Sequence, residues 1–148
     1  MKINLEYMKA LLDVFIEADT AIIELKELVN SVGFSDSDTV SEKFVFHYSL
    51  LIENNMITKS NLMTGKLSEM GIALMYDVES YTYICSDLYI RLSQAGHDFA
   101  KALNNKEVLN KLKDNFQDAP FKVLFDGGQK LLEHYLKKKM DNLLSESN

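Results

Sequence analysis

Residues 91–100 read RLSQAGHDFA, and where this stretch changes character decides the fold. Arg91 and Leu92 end an alternating apolar and polar run, whereas Phe99 and Leu103 recur at helical spacing. Between them Ser93 is a helix N-cap residue, whose side chain accepts from a backbone N–H two or three residues on. A strand therefore ends and a helix starts at one position. Gly96 allows close packing at that joint, and His97 is expected to pack or hydrogen-bond there.

Upstream of the joint, Val78, Ile84, Leu88, Ile90 and Leu92 hold even positions, and Asp77, Glu79, Asp87 and Arg91 alternate with them. A period of two is that of a strand with one buried face. This parity puts Tyr83 and Cys85 on the polar-facing side. A strand near residues 56–63 is expected to pair antiparallel with one near residues 87–92. The intervening TGKLSEMGIALMYD (64–77) fits a strand or a short helix.

Helices precede this region. NLEYMKALLDVFIEAD (4–19) offers Asn4 as N-cap and an apolar stripe of Leu5, Met8, Leu12 and Phe15, with Leu11 widening it. IIELKELVNSVG (22–33) repeats the pattern with Leu25, Leu28, Val29 and Val32, and Gly33 stands where a left-handed residue costs least. SDSDTVSEKFVFHYSLLIENNMI (35–57) opens on capping and acidic residues, turns Val40, Phe44, Tyr48 and Leu51 inward, and ends near Asn54 and Asn55. Downstream, two or three more helices are expected. Asp118 and Pro120 begin one of them, and Gly127-Gly128 breaks it before a terminal helix.

With 148 residues, 47% of them hydrophobic, the chain can bury one substantial core. Its single cysteine, Cys85, and the lack of a basic segment leading into an apolar one at the start point to a reducing, cytoplasmic setting. Charge is uneven: residues 1–57 carry 4 Lys against 10 Asp and Glu, residues 58–105 carry 4 basic against 5 acidic, and residues 106–148 carry 8 against 7. The whole deficit lies in the first segment, and screening over roughly 8 Å keeps a basic tail from neutralising a distant acidic face.

Three helices, an antiparallel hairpin and a capping helix follow the order of a winged helix-turn-helix domain. The expected fold is therefore α+β and mainly helical. Residues 1–105 form the winged-helix domain, and residues 106–148 form a helical extension that packs on it or dimerises.

FHYSLLIENNMI (46–57) and LYIRLSQAGHDFAKAL (88–103) resemble the pattern of the bacterial and phage family called domain of unknown function 2513. His47, Leu50, Leu51 and Ile57 match its first motif, and Leu92, Gly96, His97, Asp98 and Phe99 its second, with Ser93 where Thr is usual. Asn55 stands in place of a turn glycine, a substitution that Asn tolerates because it enters the left-handed region more readily than most residues. The resemblance implies a winged helix and a phage or prophage origin, and no activity.

Few residues carry chemistry. His47, His97 and His134 fall on separate helices without a partner at metal-binding spacing. Gly127-Gly128 lacks the spacing that cradles phosphate, and Cys85 has no His close in sequence. No cofactor, metal or catalytic group is expected. A DNA-binding regulator is disfavoured because Asp36, Asp38 and Glu42 open the reading helix against Lys43 alone, and Arg91 is the only arginine.

The favoured reading is a noncatalytic accessory protein that binds a host or phage protein through Asp36, Asp38, Glu42 and Lys43 with Tyr81, Tyr83 and Tyr89, residue types suited to interfaces. The same acids also fit a solvated face, and the same tyrosines fit a cover for the terminal helices. His47, Ser93, Gly96 and His97 are assigned to the joint, with His47 meeting His97. In the terminal helix Leu132, Leu136, Met140 and Leu143 form a stripe that must be buried on the domain or against a second copy. Binding to a membrane surface by Lys137, Lys138 and Lys139 is disfavoured by the acidity of the rest.

Overall fold

The computed structural model describes residues 1–34 and 39–146. The chain is α+β and mainly helical. It runs α1 (Leu5–Glu17), β1 (Ile23–Glu24), α2 (Leu25–Leu28) extended by a π-helical turn (Val29–Gly33), then α3 (Glu42–Glu53) and β2 (Ile57–Lys59). The hairpin β3 (Ile72–Tyr76) and β4 (Tyr81–Cys85) follows, then β5 (Tyr89–Leu92), α4 (Gln94–Asn104), α5 (Lys106–Asn115) and α6 (Phe121–Glu146).

The caps expected at Asn4 and Ser93 hold, whereas α3 begins later than expected and is capped by Ser41, because Val40 is held by β4. Asn4 accepts from the Tyr7 N–H at 3.0 Å, Ser41 from Phe44 at 3.1 Å and Ser93 from Gly96 at 3.2 Å. Each satisfies one of the N–H groups left over at a helix start. Asn55 has a φ of 56°, the left-handed turn that releases the chain from α3 into β2.

Two small antiparallel sheets result. One has the order β1–β5–β2, with Ile23 opposite Ile90 and Ile57 opposite Leu92. The other is the β3–β4 hairpin, registered from Ile72 opposite Cys85 to Tyr76 opposite Tyr81. One continuous buried cluster joins Met8, Leu11 and Leu12 of α1, Phe44, Tyr48 and Leu51 of α3, Ile90 and Leu92 of β5, and Phe99 and Leu103 of α4. Leu112 of α5 and Leu124 of α6 belong to the same cluster. Tyr7 ties α1 to the π-helical turn, its hydroxyl donating to the Val32 carbonyl at 2.6 Å, and burial pushes that phenol up to about 12.

Several expectations are corrected. Ile23 and Glu24 are strand rather than helix, because their backbone completes the edge of β5. Val40 lies outside α3, its N–H donating to the Tyr83 carbonyl at 3.2 Å. Gly33 is not left-handed; a side chain there would press on the Phe44 ring, at 2.9 Å. The parity expected for 76–92 survives only in β5. Residues 86–88 leave the strand between β4 and β5, so Ile84 is exposed while Tyr83 and Cys85 pack on the core.

Gly127-Gly128 does not break a helix, since α6 runs through both. Two helical glycines cost about 2 kcal/mol in propensity, offset here by close approach: a Cβ on Gly128 would sit 3.4 Å from Leu112 and 3.5 Å from Ala102. Pro120 stands just before α6, its carbonyl accepting from the Leu124 N–H at 3.1 Å.

The strand-to-helix joint leaves no room for a side chain at Gly96. The Ser93 N–H donates to the Met56 carbonyl at 2.9 Å, and a Cβ on Gly96 would overlap that same carbonyl oxygen. Gly96→Ala is therefore expected to destabilise the protein by about 1–3 kcal/mol in urea unfolding, the usual cost of overpacking. Gly127→Ala, whose Cβ meets only Leu112 at an ordinary 3.6 Å, should stabilise by about 0.5–1 kcal/mol.

Candidate interaction surface

The start of α3 and the hairpin meet. Because Val40 bridges to Tyr83, Glu42 at the first position of α3 lies beside β4. Tyr81 and Tyr83 stack edge to face at 5.7 Å. The Glu42 carboxylate, within hydrogen-bonding reach of the Tyr81 hydroxyl, raises that phenol above its usual value. Tyr83 is raised by its own desolvation, with Glu42 adding to it. Glu42, Tyr81 and Tyr83 thus form one group, in which Tyr83 is half-buried. Asp36 and Asp38, expected beside them, lie outside the described residues.

Two of the expected surface residues sit elsewhere. Tyr89 donates its hydroxyl to Glu24 at 3.1 Å, across the β1–β5 pair. Lys43 turns to α1 and lies 4.7 Å from the centroid of the Tyr7 ring. Both are drawn away by partners near in space and remote in sequence, which no helical or strand period encodes.

The hairpin supplies residues that the sequence reading passed over. Leu74, Met75 and Ile84 are exposed along it, and toward the tip Tyr76 and Val78 are 80% and 95% exposed. Asp77 and Glu79 alternate with them through the turn, where the Asp77 N–H donates to the Ser80 carbonyl at 2.8 Å. That closing bond sets the ladder. Asp77 and Ser80 form a hydrogen-bonded pair, so by alternation the N–H and C=O of Leu74 and Tyr76 point away from β4. On β4 the equivalent outer edge is taken up at Tyr83 by Val40. The outer edge of β3 carries no strand among the described residues. The available signal was apolar residues on both parities of 72–78, the pattern of a hairpin that leaves the body of the fold.

The joint residues divide. Ser93 and Gly96 are at the joint, as expected. His47 and His97 do not meet. His47 is buried on the other side of α3, where its Nε2 accepts from the Asn4 N–H at 2.9 Å and its Nδ1 lies 2.7 Å from the Lys43 carbonyl. These contacts require the neutral ring with the proton on Nδ1. His97 is exposed and borders an open polar depression with Asn55, Thr58, Arg91 and Gln94. Gly96, one position before it, takes the inward direction, and neighbouring helical residues point apart.

Leu136, Met140 and Leu143 of the terminal stripe are exposed, and Leu132 is half-buried. The domain therefore does not cover this distal stripe, while Tyr135 and Lys138 on the neighbouring face of α6 border a groove with Val108 and Lys111 of α5. Among the described residues no three His, Cys, Asp or Glu side chains converge as a metal site, and no helix is long and apolar enough to cross a membrane. No family model, curated protein or solved structure matches the chain.

Burial holds the His47 imidazole below its ordinary 6.5. As pH falls through that value the unfolded chain takes up the proton first, so stability is lost on the acid side and regained as pH rises. Thermal unfolding between about pH 7 and pH 5 should show this slope in the wild type and a flatter one in His47→Gln. The same variant should lose about 1–2 kcal/mol at neutral pH through its broken hydrogen bonds. His97→Ala, by contrast, is expected to stay within about 0.5 kcal/mol of wild type.

Proposed function

We propose that the chain is a winged-helix domain that acts without catalysis, binding a protein through its wing and the acidic start of α3. The order helix, strand, helix, helix, strand, hairpin, strand, with β5 between β1 and β2, supports the winged-helix reading. The β3–β4 hairpin is then an enlarged wing. The resemblance of residues 46–57 and 88–103 to domain of unknown function 2513 supports a phage or prophage setting.

The observation that carries the binding role is the open β3 edge. It presents the backbone of Leu74 and Tyr76 between exposed apolar side chains, with Asp77 and Glu79 in the adjoining turn, while Glu42 lies across the hairpin beside β4. An extended segment that adds to such an edge gains main-chain hydrogen bonds, and its alternate side chains meet the two faces of the hairpin. The acidic neighbours favour a segment with basic residues among its apolar ones.

The rival reading, DNA recognition by α3, is drawn from the same topology. It meets a helix whose solvent-facing residues include Glu42 and Glu53, and whose only cation, Lys43, rests on Tyr7. Phosphate binding relies on local cations, and this face does not offer them.

A panel of eight-residue peptides tests the proposal, one set alternating apolar with basic residues and one apolar with acidic. The basic set is expected to bind and to slow amide exchange at Leu74 and Tyr76. Leu74→Pro removes the outward N–H without breaking the ladder and should weaken binding about tenfold or more, whereas Met75→Ala should have a smaller effect. Equal binding of both sets, or exchange unchanged at Leu74 and Tyr76, would count against the proposal. So would a shift of random duplex DNA that weakens steeply with salt.

A further inference from the structure

The face that α6 turns to α4 does not stop where α4 stops. Phe121 and Phe125 pack on Phe99 at 5.4 and 5.7 Å between centroids, and Gly128 follows against Ala102. Helical steps of three and four residues then carry the same stripe through Leu132 to Leu136, Met140 and Leu143. The neighbour α4 ends at Asn104. From residue 133 to residue 146 every position of α6 is exposed, a length of about 20 Å at 1.5 Å per residue, bordered by α5 only on the face of Tyr135 and Lys138. Helical segments of this length are marginal in water unless an apolar face is packed.

We propose that a second copy of this chain covers the stripe, the distal halves of two α6 helices pairing across a two-fold axis through Leu136, Met140 and Leu143. Charge argues for a copy over other occupants. Residues 133–146 carry three Lys (Lys137, Lys138, Lys139) and three acids (Glu133, Asp141, Glu146). A self-pairing surface confronts its own charges, so balance is what it needs; an anionic membrane or a nucleic acid would require an excess of cations.

Area agrees. Leu136, Met140 and Leu143 are 51%, 56% and 53% exposed, leaving roughly 100 Å² each. With Tyr135 and the lysine stems, two copies together bury about 800–1,000 Å², the range of a weak but specific interface. Leu132, Leu136 and Met140 lie on one i+4 ridge, and such ridges interdigitate with their like at a crossing angle near −50°. The pair is then a crossing of two helices instead of a long coiled coil.

Sedimentation equilibrium of the full chain, from about 1 μM to 1 mM, tests the pairing. The average mass is expected to rise from the 16.9 kDa of one chain toward twice that value. The double substitution Leu136→Glu and Met140→Glu should raise the midpoint concentration about a hundredfold while the unfolding transition of the core persists. If that double variant loses the core transition, Leu143→Asp alone reads the same interface from the outermost turns. Leu74→Pro should leave the association unchanged, which separates this interface from the wing. The proposal is overturned by a wild type that stays monomeric throughout, or by variants that associate as it does. It is also overturned by a monomeric wild type that binds phosphatidylserine vesicles through these same residues.

Discussion

The structure is organised around the contact between the first turn of α4 and the chain leaving α3, where the Met56 carbonyl accepts from the Ser93 N–H and lies against the Cα of Gly96. One carbonyl group holds three elements in register there. It fixes where β5 ends, and it sets how closely α4 approaches the exit of α3. Through the pairing of Ile57 with Leu92 it also aligns β2 with β5. Any side chain at Gly96 would push α4 outward and open the cluster formed by Phe99, Leu103, Leu51 and Ile57. Packed interiors resist such displacement because few voids exist to absorb it.

A second buried polar contact closes the other side of the core. His47 takes the N–H of Asn4, the same residue whose side chain caps α1. The start of α1 is thereby tied to the middle of α3 by a group that must stay neutral. Polar ties from α1 reach the C-terminal helices as well: Asn104 bonds Asp13 at 2.7 Å, and Lys113 pairs with Glu6 at 2.8 Å. The second of these is exposed and contributes little by itself. The apolar cluster, which includes Leu112 and Leu124, carries most of that attachment.

Against this packed body, two parts reach away from it: the β3–β4 hairpin and the distal half of α6. The hairpin offers a β3 edge that pairs with no strand among the described residues, and the helix offers an apolar ridge with balanced charge. They would bind by different physics, one through main-chain hydrogen bonds and the other through side-chain packing. Under the two proposals, this division would separate attachment to a partner from attachment to a second copy.

The elements that depend on local chemistry were legible in the sequence. Asn4 and Ser93 cap helices because an N-cap acts on the next two or three residues, and Asn55 turns left-handed because its own side chain permits it. The α+β class, the antiparallel pairing near residues 57 and 92, and the apolar stripe of the last helix follow from period and composition. What needed the tertiary structure depends on neighbours far along the chain. Ile23 became strand because β5 had an open edge, and Gly128 stayed helical because Ala102 and Leu112 press close to it. His47 went to Asn4 while His97 went to solvent. Glu42 met Tyr81 because Val40 bridges to β4, and Tyr89 met Glu24 because β1 pairs with β5. Each of these outcomes is a competition among partners brought together by folding, and a linear pattern records only the candidates.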